Sequence, residues 1–201
     1  YDLDEAIESI RPGLAPDGCV LPVLNGLGHI ARLQEAFGTN RVLGGTARIQ
    51  STLTPEGVVK QFNDWNTISF GEIAGGTSPR VERLAAAFAG TKGLTVRAVT
   101  NVMGELWEKL VHLATAATMT SLMRANIGEI VRTPEGGPML QRTLDAMAEI
   151  AARNGHAPGA AFMENYRKVF AQADSVYSTS LLRDIERGAR SEGDHIIGFV
   201  L

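Results

Sequence analysis

Residues 104–119 read GELWEKLVHLATAATM and have the apolar spacing of a helix, yet a lysine lies on the apolar face. The residues that share this face at three- and four-residue steps are Leu106, Lys109, Leu113, Ala116, Ala117 and Thr120. The small residues leave space beside Lys109, and an amine partly removed from water can give up a proton near neutral pH. Lys109 is therefore a candidate acid. The alternative is an ordinary surface ion pair with Glu105, four residues earlier.

A second group of polar residues lies at 178–198, where the sequence reads STSLLRDIERGARSEGDHIIG. Ser180 precedes a short apolar helix edge, and Glu192 and Asp194 follow the helix just before an apolar run. Serines and carboxylates of this kind can bind a polar ligand. The same pattern is also typical of a solvated loop between two helices, with Ser180 in a capping position.

A glycine-rich turn at 25–31 reads NGLGHIA and lies between an apolar run and a helical pattern. It matches the relaxed dinucleotide fingerprint G-x-G-x-x-G/A, in which backbone N–H groups approach a pyrophosphate. The acidic residue expected about 20 positions later is absent, and Arg48 lies there instead. A plain strand-to-helix turn is the alternative.

The sequence contains no pattern for a metal site. The histidines are scattered along the chain, at His29, His112, His156 and His195. Cys19 is the only cysteine, so it cannot form an internal disulfide, and we expect it to be a small buried residue in a strand.

Composition excludes several classes of protein. The 201 residues are 44% hydrophobic and 20% charged with a net charge of −3, so no basic surface for nucleic acid is indicated. No apolar run reaches membrane-spanning length and no secretory leader is present, which together with the lone cysteine favours the cytoplasm.

Because the chain starts at Tyr1 within a helical pattern and stops within IIGFVL, we expect a fragment of a longer protein.

The first half of the chain alternates between helix and strand patterns, which predicts an α/β fold. Helices are predicted at 2–10, 29–37 and 81–89, and strands at 19–24, 41–53 and 94–99, with a hairpin of 57–62 and 67–71 turning at 63–66. From about residue 101 the patterns are helical, at 103–123, 134–153, 158–173 and 178–187. This predicts two domains, 1–99 and 100–201.

Several segments together resemble the ketopantoate reductase family, the 2-dehydropantoate 2-reductases. They are NGLG at 25–28, RVLGGT at 41–46, LWEKL at 106–110, NIGEI at 126–130 and SLLRDIERGARSEGDHIIG at 180–198. The resemblance covers essentially the whole chain. It implies the later part of a Rossmann-type dinucleotide-binding domain followed by a helical C-terminal domain like that of 6-phosphogluconate dehydrogenase, with the site between them.

The resemblance implies an NADP-dependent oxidoreductase that reduces a 2-keto acid, typically 2-dehydropantoate to pantoate in pantothenate biosynthesis. Lys109 would donate a proton to the oxygen of the ketone as hydride arrives. Asn25 would lie beside both the nicotinamide and the substrate. Glu192 would lie on the cofactor side, and Ser180 would form a hydrogen bond with the substrate. Two assignments align more loosely: Ser51 near the cofactor and Asn126 near the substrate. No metal is implied. The one macromolecular partner that we expect is a second copy of the chain, in a homodimer.

The resemblance also changes how the glycine turn is interpreted. In this family the phosphate loop precedes the region that Tyr1 begins, so the turn at 25–31 would be a later one at the site. The chain alone is then expected to bind cofactor weakly and to be inactive, and the choice between NADPH and NADH rests on residues outside it.

One departure from the family bears on the substrate. Members specific for ketopantoate carry asparagines one and two turns after the lysine, where this chain has Leu113 and Ala117. A site that recognises hydroxyl groups by hydrogen bonds loses discrimination without them. Two alternatives therefore remain: a reductase of a less polar 2-keto acid, and a non-catalytic member that serves as a dimerisation or ligand-binding module.

Overall fold

The computed structural model describes residues 2–201, except for the side chains of Phe62 and Asn63. Packing divides the chain into two compact units, one of residues 2–24 and 29–103 and one of residues 25–28 and 104–201. Among the described residues, every strand belongs to the first unit. The predicted change from an α/β fold to an all-α fold is therefore confirmed.

The elements follow the chain in a simple order. They are α1 (Leu3–Ile10), α2 (Gly28–Phe37), β1 (Gly44–Leu53), β2 (Val59–Gly71), α3 (Pro79–Ala87), β3 (Thr95–Ala98), α4 (Val102–Met123), α5 (Ile127–Val131), α6 (Gly136–Arg153), α7 (Ala160–Val169), α8 (Ser180–Glu186) and α9 (Gly193–Ile196). The helix predicted at 158–173 is shorter than expected, since α7 ends at Val169.

The first unit is built on a sheet in the order β1-β2-β3. β1 and β2 are antiparallel, with Gly44 opposite Gly71, and β2 and β3 are parallel, joined through α3. Apolar side chains from both sheet and helices form the core. One cluster contains Ile7, Leu33, Phe37 and Val42, and another contains Leu43, Phe70 and Val81.

The predicted hairpin turn at 63–66 is wrong, because both arms of that hairpin belong to one strand, β2 (Val59–Gly71), and pair with β1, with a shift of register between Ile49 and Ser51. The chain reverses instead at residues 54–58, between β1 and β2, where the Thr54 amide donates to the Val58 carbonyl. Gly57 has a φ of +80°, which glycine adopts without steric cost. The predicted turn contained no glycine to supply such a conformation. The side chains of Phe62 and Asn63 lie outside the described residues.

The strand predicted at 19–24 is also largely wrong. Only Val20 pairs, in a single parallel bridge to Val42, and no other described residue extends the ladder. Cys19 is exposed rather than buried, and Val23 and Leu24 are exposed as well. An apolar run indicates burial only when neighbours cover both of its faces, and here a single edge of the run is paired.

Helix ends follow the local sequence closely. α2, α6 and α8 are followed within two residues by Gly38, Gly155 and Gly188, whose φ angles are +92°, +82° and +64°. Glycine at such positions allows the left-handed turn that satisfies the last carbonyl groups of a helix. The helix ends predicted at 37, 153 and 187 agree with those of α2, α6 and α8 to within one residue.

α4 is the longest helix, at 22 residues, and it is buried on most of its surface. A helix that is apolar all round lies inside a helical unit rather than on its edge. Neither α4 nor any other helix in the described residues combines the length and apolar character needed to cross a membrane.

A partly buried ion pair supports the first unit. The Arg80 guanidinium donates to both oxygens of Glu72, at 2.7 Å from Nε and 2.5 Å from Nη2, and the Ser78 hydroxyl donates to the same carboxylate. The hydrogen bonds from Arg80 lower the pKa of Glu72 below its usual value. A lowered pKa means that the folded state holds the charged carboxylate more tightly than the unfolded chain does.

We predict that Glu72→Gln lowers the free energy of unfolding at pH 7 by about 1.5–3 kcal/mol, the usual range for hydrogen bonds to charged groups. The contribution is present above the unfolded pKa of about 4.3 and is lost as pH falls through the lower folded pKa. Urea unfolding at pH 7 and pH 3 measures it. The difference should shrink at pH 3, and an equal loss at both pH values would point to packing instead. Glu164→Gln, at an exposed pair with Lys168, is the control with little expected effect.

Candidate active site

Lys109 lies in the second turn of α4 and is half-buried. Residues on the same face of the helix are buried, among them Leu106, Ala116, Ala117 and Thr120. Leu113, one turn after the lysine, is half-buried like it. The lysine is therefore a half-buried residue on a largely buried face, between Leu106 and Leu113.

Other contacts of α4 within the same unit are aromatic. Trp107 stacks on His156 with ring centroids 5.7 Å apart, and His112 stacks on Tyr166 at 4.4 Å. The His112 Nε2 atom also forms a hydrogen bond of 3.1 Å with the Tyr177 hydroxyl. Burial raises the pKa of Tyr177 above its usual range, so this hydroxyl keeps its proton. These contacts pack α4 against the segments that carry His156, Tyr166 and Tyr177.

Asn25 and Glu192 are brought together from distant parts of the chain. The Asn25 Nδ2 atom donates to the Glu192 Oε2 atom at 3.1 Å, across 167 residues of sequence. Both side chains are half-buried, and Glu192 is the residue just before α9. A hydrogen bond between an amide and a carboxylate fixes the orientation of both groups, because each side chain then favours the rotamer that keeps the bond.

Gly26 explains how this contact is possible. A Cβ atom at Gly26 would lie 2.5 Å from the carbonyl oxygen of His195 in α9, and the φ angle of Gly26 is +78°. Only glycine combines this conformation with so close a backbone approach. The glycine turn at 25–28 therefore packs closely against the backbone of α9, next to Glu192.

Ser180 is the first residue of α8 and is exposed, and the residue before it caps the helix. Thr179 is buried, and its hydroxyl accepts from the Leu182 amide at 3.3 Å. Its Oγ1 atom also lies 3.0 Å from the Oγ1 atom of Thr120 on α4. Ser180 is thus anchored, through its neighbour, to the face of α4 that carries Lys109.

Asn126 has a structural role that the sequence reasoning did not assign. Its side chain accepts from the Glu129 amide at 2.9 Å, and the Glu129 carboxylate accepts from the Asn126 amide at 2.8 Å. This reciprocal pair is a capping box that begins α5. The signal was available, since asparagine followed three residues later by glutamate is a common helix start. Binding of substrate by Asn126 stays a prediction.

Ser51 lies in the first unit, exposed on β1 and opposite Gln61. Its predicted contact with a cofactor stays a prediction. Sequence reasoning also missed Thr120, Thr179 and Tyr177 as members of the helical unit's polar contacts. Their spacing carries no motif, and only the fold brings them together.

The described residues contain no cluster of three or more His, Cys, Asp or Glu side chains arranged for a metal ion. Lys109, Asn25, Glu192 and Ser180 carry an ammonium, an amide, a carboxylate and a hydroxyl, and of these the structure brings Asn25 and Glu192 into direct contact. Groups of these types can bind a polar organic molecule, and an ammonium can supply a proton to it.

Comparisons with known proteins match nearly the whole chain. Residues 1–75 match the family model described as Ketopantoate reductase PanE/ApbA, and residues 101–201 match that of its C terminal region. The chain is 30% identical over 202 residues to a 2-dehydropantoate 2-reductase of Halobacterium salinarum, covering 100% of this chain and 65% of that protein.

Solved structures show the same fold. The 2-dehydropantoate 2-reductase of Methylococcus capsulatus superposes with a TM-score of 0.80 at 28% identity, over 96% of this chain and 61% of that one. A D-mandelate dehydrogenase in complex with NADH superposes with a TM-score of 0.83 at 19% identity, over 99% of this chain and 67% of that one, which shows the fold alone. The chain therefore has the later part of a Rossmann-type fold followed by a helical C-terminal region. It spans less than two thirds of the length of the Halobacterium and Methylococcus proteins.

Proposed function

Because this chain belongs to the ketopantoate reductase family, we propose that the protein containing it is an NADP-dependent oxidoreductase. It reduces a 2-keto acid, first of all 2-dehydropantoate to pantoate in pantothenate biosynthesis. Residues 1–99 belong to the dinucleotide-binding domain and residues 100–201 to the helical substrate domain. The complete protein acts in the cytoplasm, and a homodimer is the one assembly that we propose for it.

The observation that carries the proposal is the hydrogen bond between Asn25 and Glu192. The family resemblance assigns both residues to the cofactor side of one site, although they lie 167 residues apart in sequence. A direct contact between two groups that the resemblance assigns to one site supports the proposal.

Lys109 is the proposed proton donor. Its half-buried position on α4 places an ammonium where water is partly excluded, which strengthens its interaction with developing negative charge. As the ketone is reduced, its oxygen gains negative charge and takes a proton from the Nζ atom. Ser180 donates a hydrogen bond to the substrate and orients it for this step.

The residues present fit a nicotinamide group, which supplies a hydride when bound. Within the described residues, the hydrogen bond to Glu192 leaves the Asn25 carbonyl oxygen and its second N–H available. These two groups are complementary to a carboxamide, which has one donor group and one acceptor. Glu192 keeps Asn25 in the orientation that such a contact needs. Ser51 is a further, more distant cofactor contact in this proposal.

The second candidate is a reductase of a less polar 2-keto acid. It is favoured by the apolar side chains after the lysine, because Leu113 is half-buried and Ala117 is buried where family members specific for ketopantoate carry asparagines. Asn126 is the first amide side chain along the chain after the lysine, and its carbonyl oxygen is already used in capping α5. The helix face after Lys109 then offers fewer hydrogen-bonding groups than a face that carried the two asparagines would.

The test is oxidation of NADPH, and of NADH in parallel, by the complete gene product with 2-dehydropantoate and a panel of less polar 2-keto acids. Turnover with 2-dehydropantoate supports the first candidate, and turnover only with the others supports the second. A folded protein that binds NADPH but oxidises it with none of them would contradict both and favour the non-catalytic alternative. The 201-residue chain, assayed beside it, is expected to be inactive.

A further inference from the structure

Two buried threonine hydroxyls join α4 to the start of α8. Thr120 and Thr179 are 0% and 5% exposed, and their Oγ1 atoms are 3.0 Å apart across 59 residues of sequence. Buried hydroxyl groups are costly unless they are hydrogen-bonded. The pair is therefore a specific contact between the two helices and not a chance approach of surface groups.

The direction of this hydrogen bond follows from its neighbours. The Thr120 hydroxyl donates its single proton to the Ala116 carbonyl at 2.7 Å, so Thr179 must be the donor to Thr120. The Thr179 oxygen in turn accepts from the Leu182 amide. One continuous chain of hydrogen bonds therefore runs from the first turn of α8, through both hydroxyls, to the backbone of α4.

The α4 end of this chain lies on the lysine face. Ala116 and Thr120 follow Lys109 by 7 and 11 residues, which are two and three turns of a helix. The other end lies beside Ser180, the residue directly after Thr179. The threonine pair thus relates the position of Ser180 to the helix that carries Lys109.

Other contacts hold the neighbouring segment but do not reach Ser180. The Ile127 amide donates to the Tyr177 carbonyl and the Gly128 amide to the Ser175 carbonyl, at 3.0 and 2.9 Å. These bonds fix residues 175–177 against the start of α5. The exposed serine three residues later lies between Thr179 and the buried Leu181, and the Thr179 hydroxyl makes the hydrogen bond that ties this point of the chain to α4.

We infer that Thr120 and Thr179 form a positioning pair that sets Ser180 at the distance from Lys109 that binding of the 2-keto acid requires. This inference rests on the proposed function for the role of Ser180. It assigns specificity for substrate to two residues that do not touch the substrate themselves.

The experiment compares Thr120→Val, which has the same shape without the hydroxyl, with Thr120→Ser, which keeps it. In the complete gene product, Thr120→Val is expected to raise KM for the accepted 2-keto acid about tenfold, with kcat changed less than about threefold. Thr120→Ser should restore KM. Thr115→Val is the matched control, because the Thr115 hydroxyl is equally buried on α4 but, within the described part of the chain, bonds only to the Val111 carbonyl of the same helix.

A double variant tests whether the pair acts through Ser180. Ser180→Ala should raise KM by a similar factor, and Thr120→Val combined with Ser180→Ala should be no worse than Ser180→Ala alone. Independent, multiplying effects would overturn the inference, as would an unchanged KM in Thr120→Val. An unchanged KM in Ser180→Ala would overturn both the inference and the proposed role of that serine.

Hydrogen exchange at the Leu182 amide gives a readout that does not depend on turnover. Exchange should be faster in Thr120→Val than in the wild type and in Thr120→Ser, since the Thr179 cap loses its partner. If exchange changes but the wild type reduces no keto acid, the proposed function fails and the role in substrate binding fails with it. If exchange is unchanged while the wild type is active, the positioning pair alone is refuted.

Discussion

Replacing Lys109 with alanine is expected to lower kcat of the complete gene product by about 10²–10⁴, the usual contribution of a positioned acid. The side chain is half-buried on α4, so its ammonium acts on developing charge with less screening than an exposed lysine would. The fold should persist, because the buried residues of that helix face are left unchanged. Steady-state kinetics and thermal unfolding of the same samples measure the two effects.

Two further variants make the Lys109 result specific. Lys109→Arg keeps the positive charge but not a removable proton, since arginine stays protonated in proteins. A slow Lys109→Arg enzyme would support proton donation, and recovery of most of the rate would favour a purely electrostatic role. Lys168→Met, at an exposed lysine of α7 paired with Glu164, is the control for removal of a lysine. A Lys109→Ala enzyme as fast as the wild type would refute the assignment.

Replacing Gly26 with alanine is expected to lower kcat/KM by about 100-fold, the scale of a displacement of about 1 Å at a site. The new Cβ atom would lie 2.5 Å from the His195 carbonyl oxygen, so the turn and α9 must separate. That movement separates Asn25 from Glu192, which adjoin the two sides of the contact. The positive φ of +78° adds about 1–3 kcal/mol of backbone strain to the folded state.

Two other glycines separate the possible causes of the Gly26 effect. Gly155 has a φ of +82° and open space around it, so Gly155→Ala reports the cost of conformation alone. Gly28 has no positive φ, and a Cβ atom there would make an ordinary contact of 3.6 Å with Phe199, so Gly28→Ala should be tolerated. A phosphate cradle would need both glycines of the motif. Equal damage from Gly26→Ala and Gly28→Ala would therefore contradict the close approach to α9 as the reason for the motif.

The glycine turn shows why a motif needs its structural context. By sequence, residues 25–31 match a dinucleotide fingerprint, and the family resemblance places the true phosphate loop elsewhere in the protein. The structure supplies a different physical reason for Gly26, which is the carbonyl of His195 at 2.5 Å from its Cβ position. No pattern near residue 26 refers to residue 195, so this reason could not be obtained from the sequence.

The errors in the first unit have a common cause. Cys19 was expected to be buried and residues 63–66 to form a turn, and both inferences used the composition of short segments. Burial of a strand depends on what covers it, and the position of a turn depends on which strands pair. Here the residues on both sides of the expected turn pair with β1, with a register shift between Ile49 and Ser51, so they belong to one strand and not to two arms of a hairpin.

The features that could be predicted from the sequence are local or repeat at short range. They are the change from α/β to helical character, the helix ends near Gly38, Gly155 and Gly188, and the face of α4 that carries Lys109. Helical periodicity and the conformational freedom of glycine act within a few residues, so they can be read directly. Which distant groups come into contact depends on tertiary packing and could not be predicted from local patterns. The contacts of Asn25 with Glu192 and of Thr120 with Thr179 span 167 and 59 residues, and they exist because the packing of buried surfaces brings those segments together.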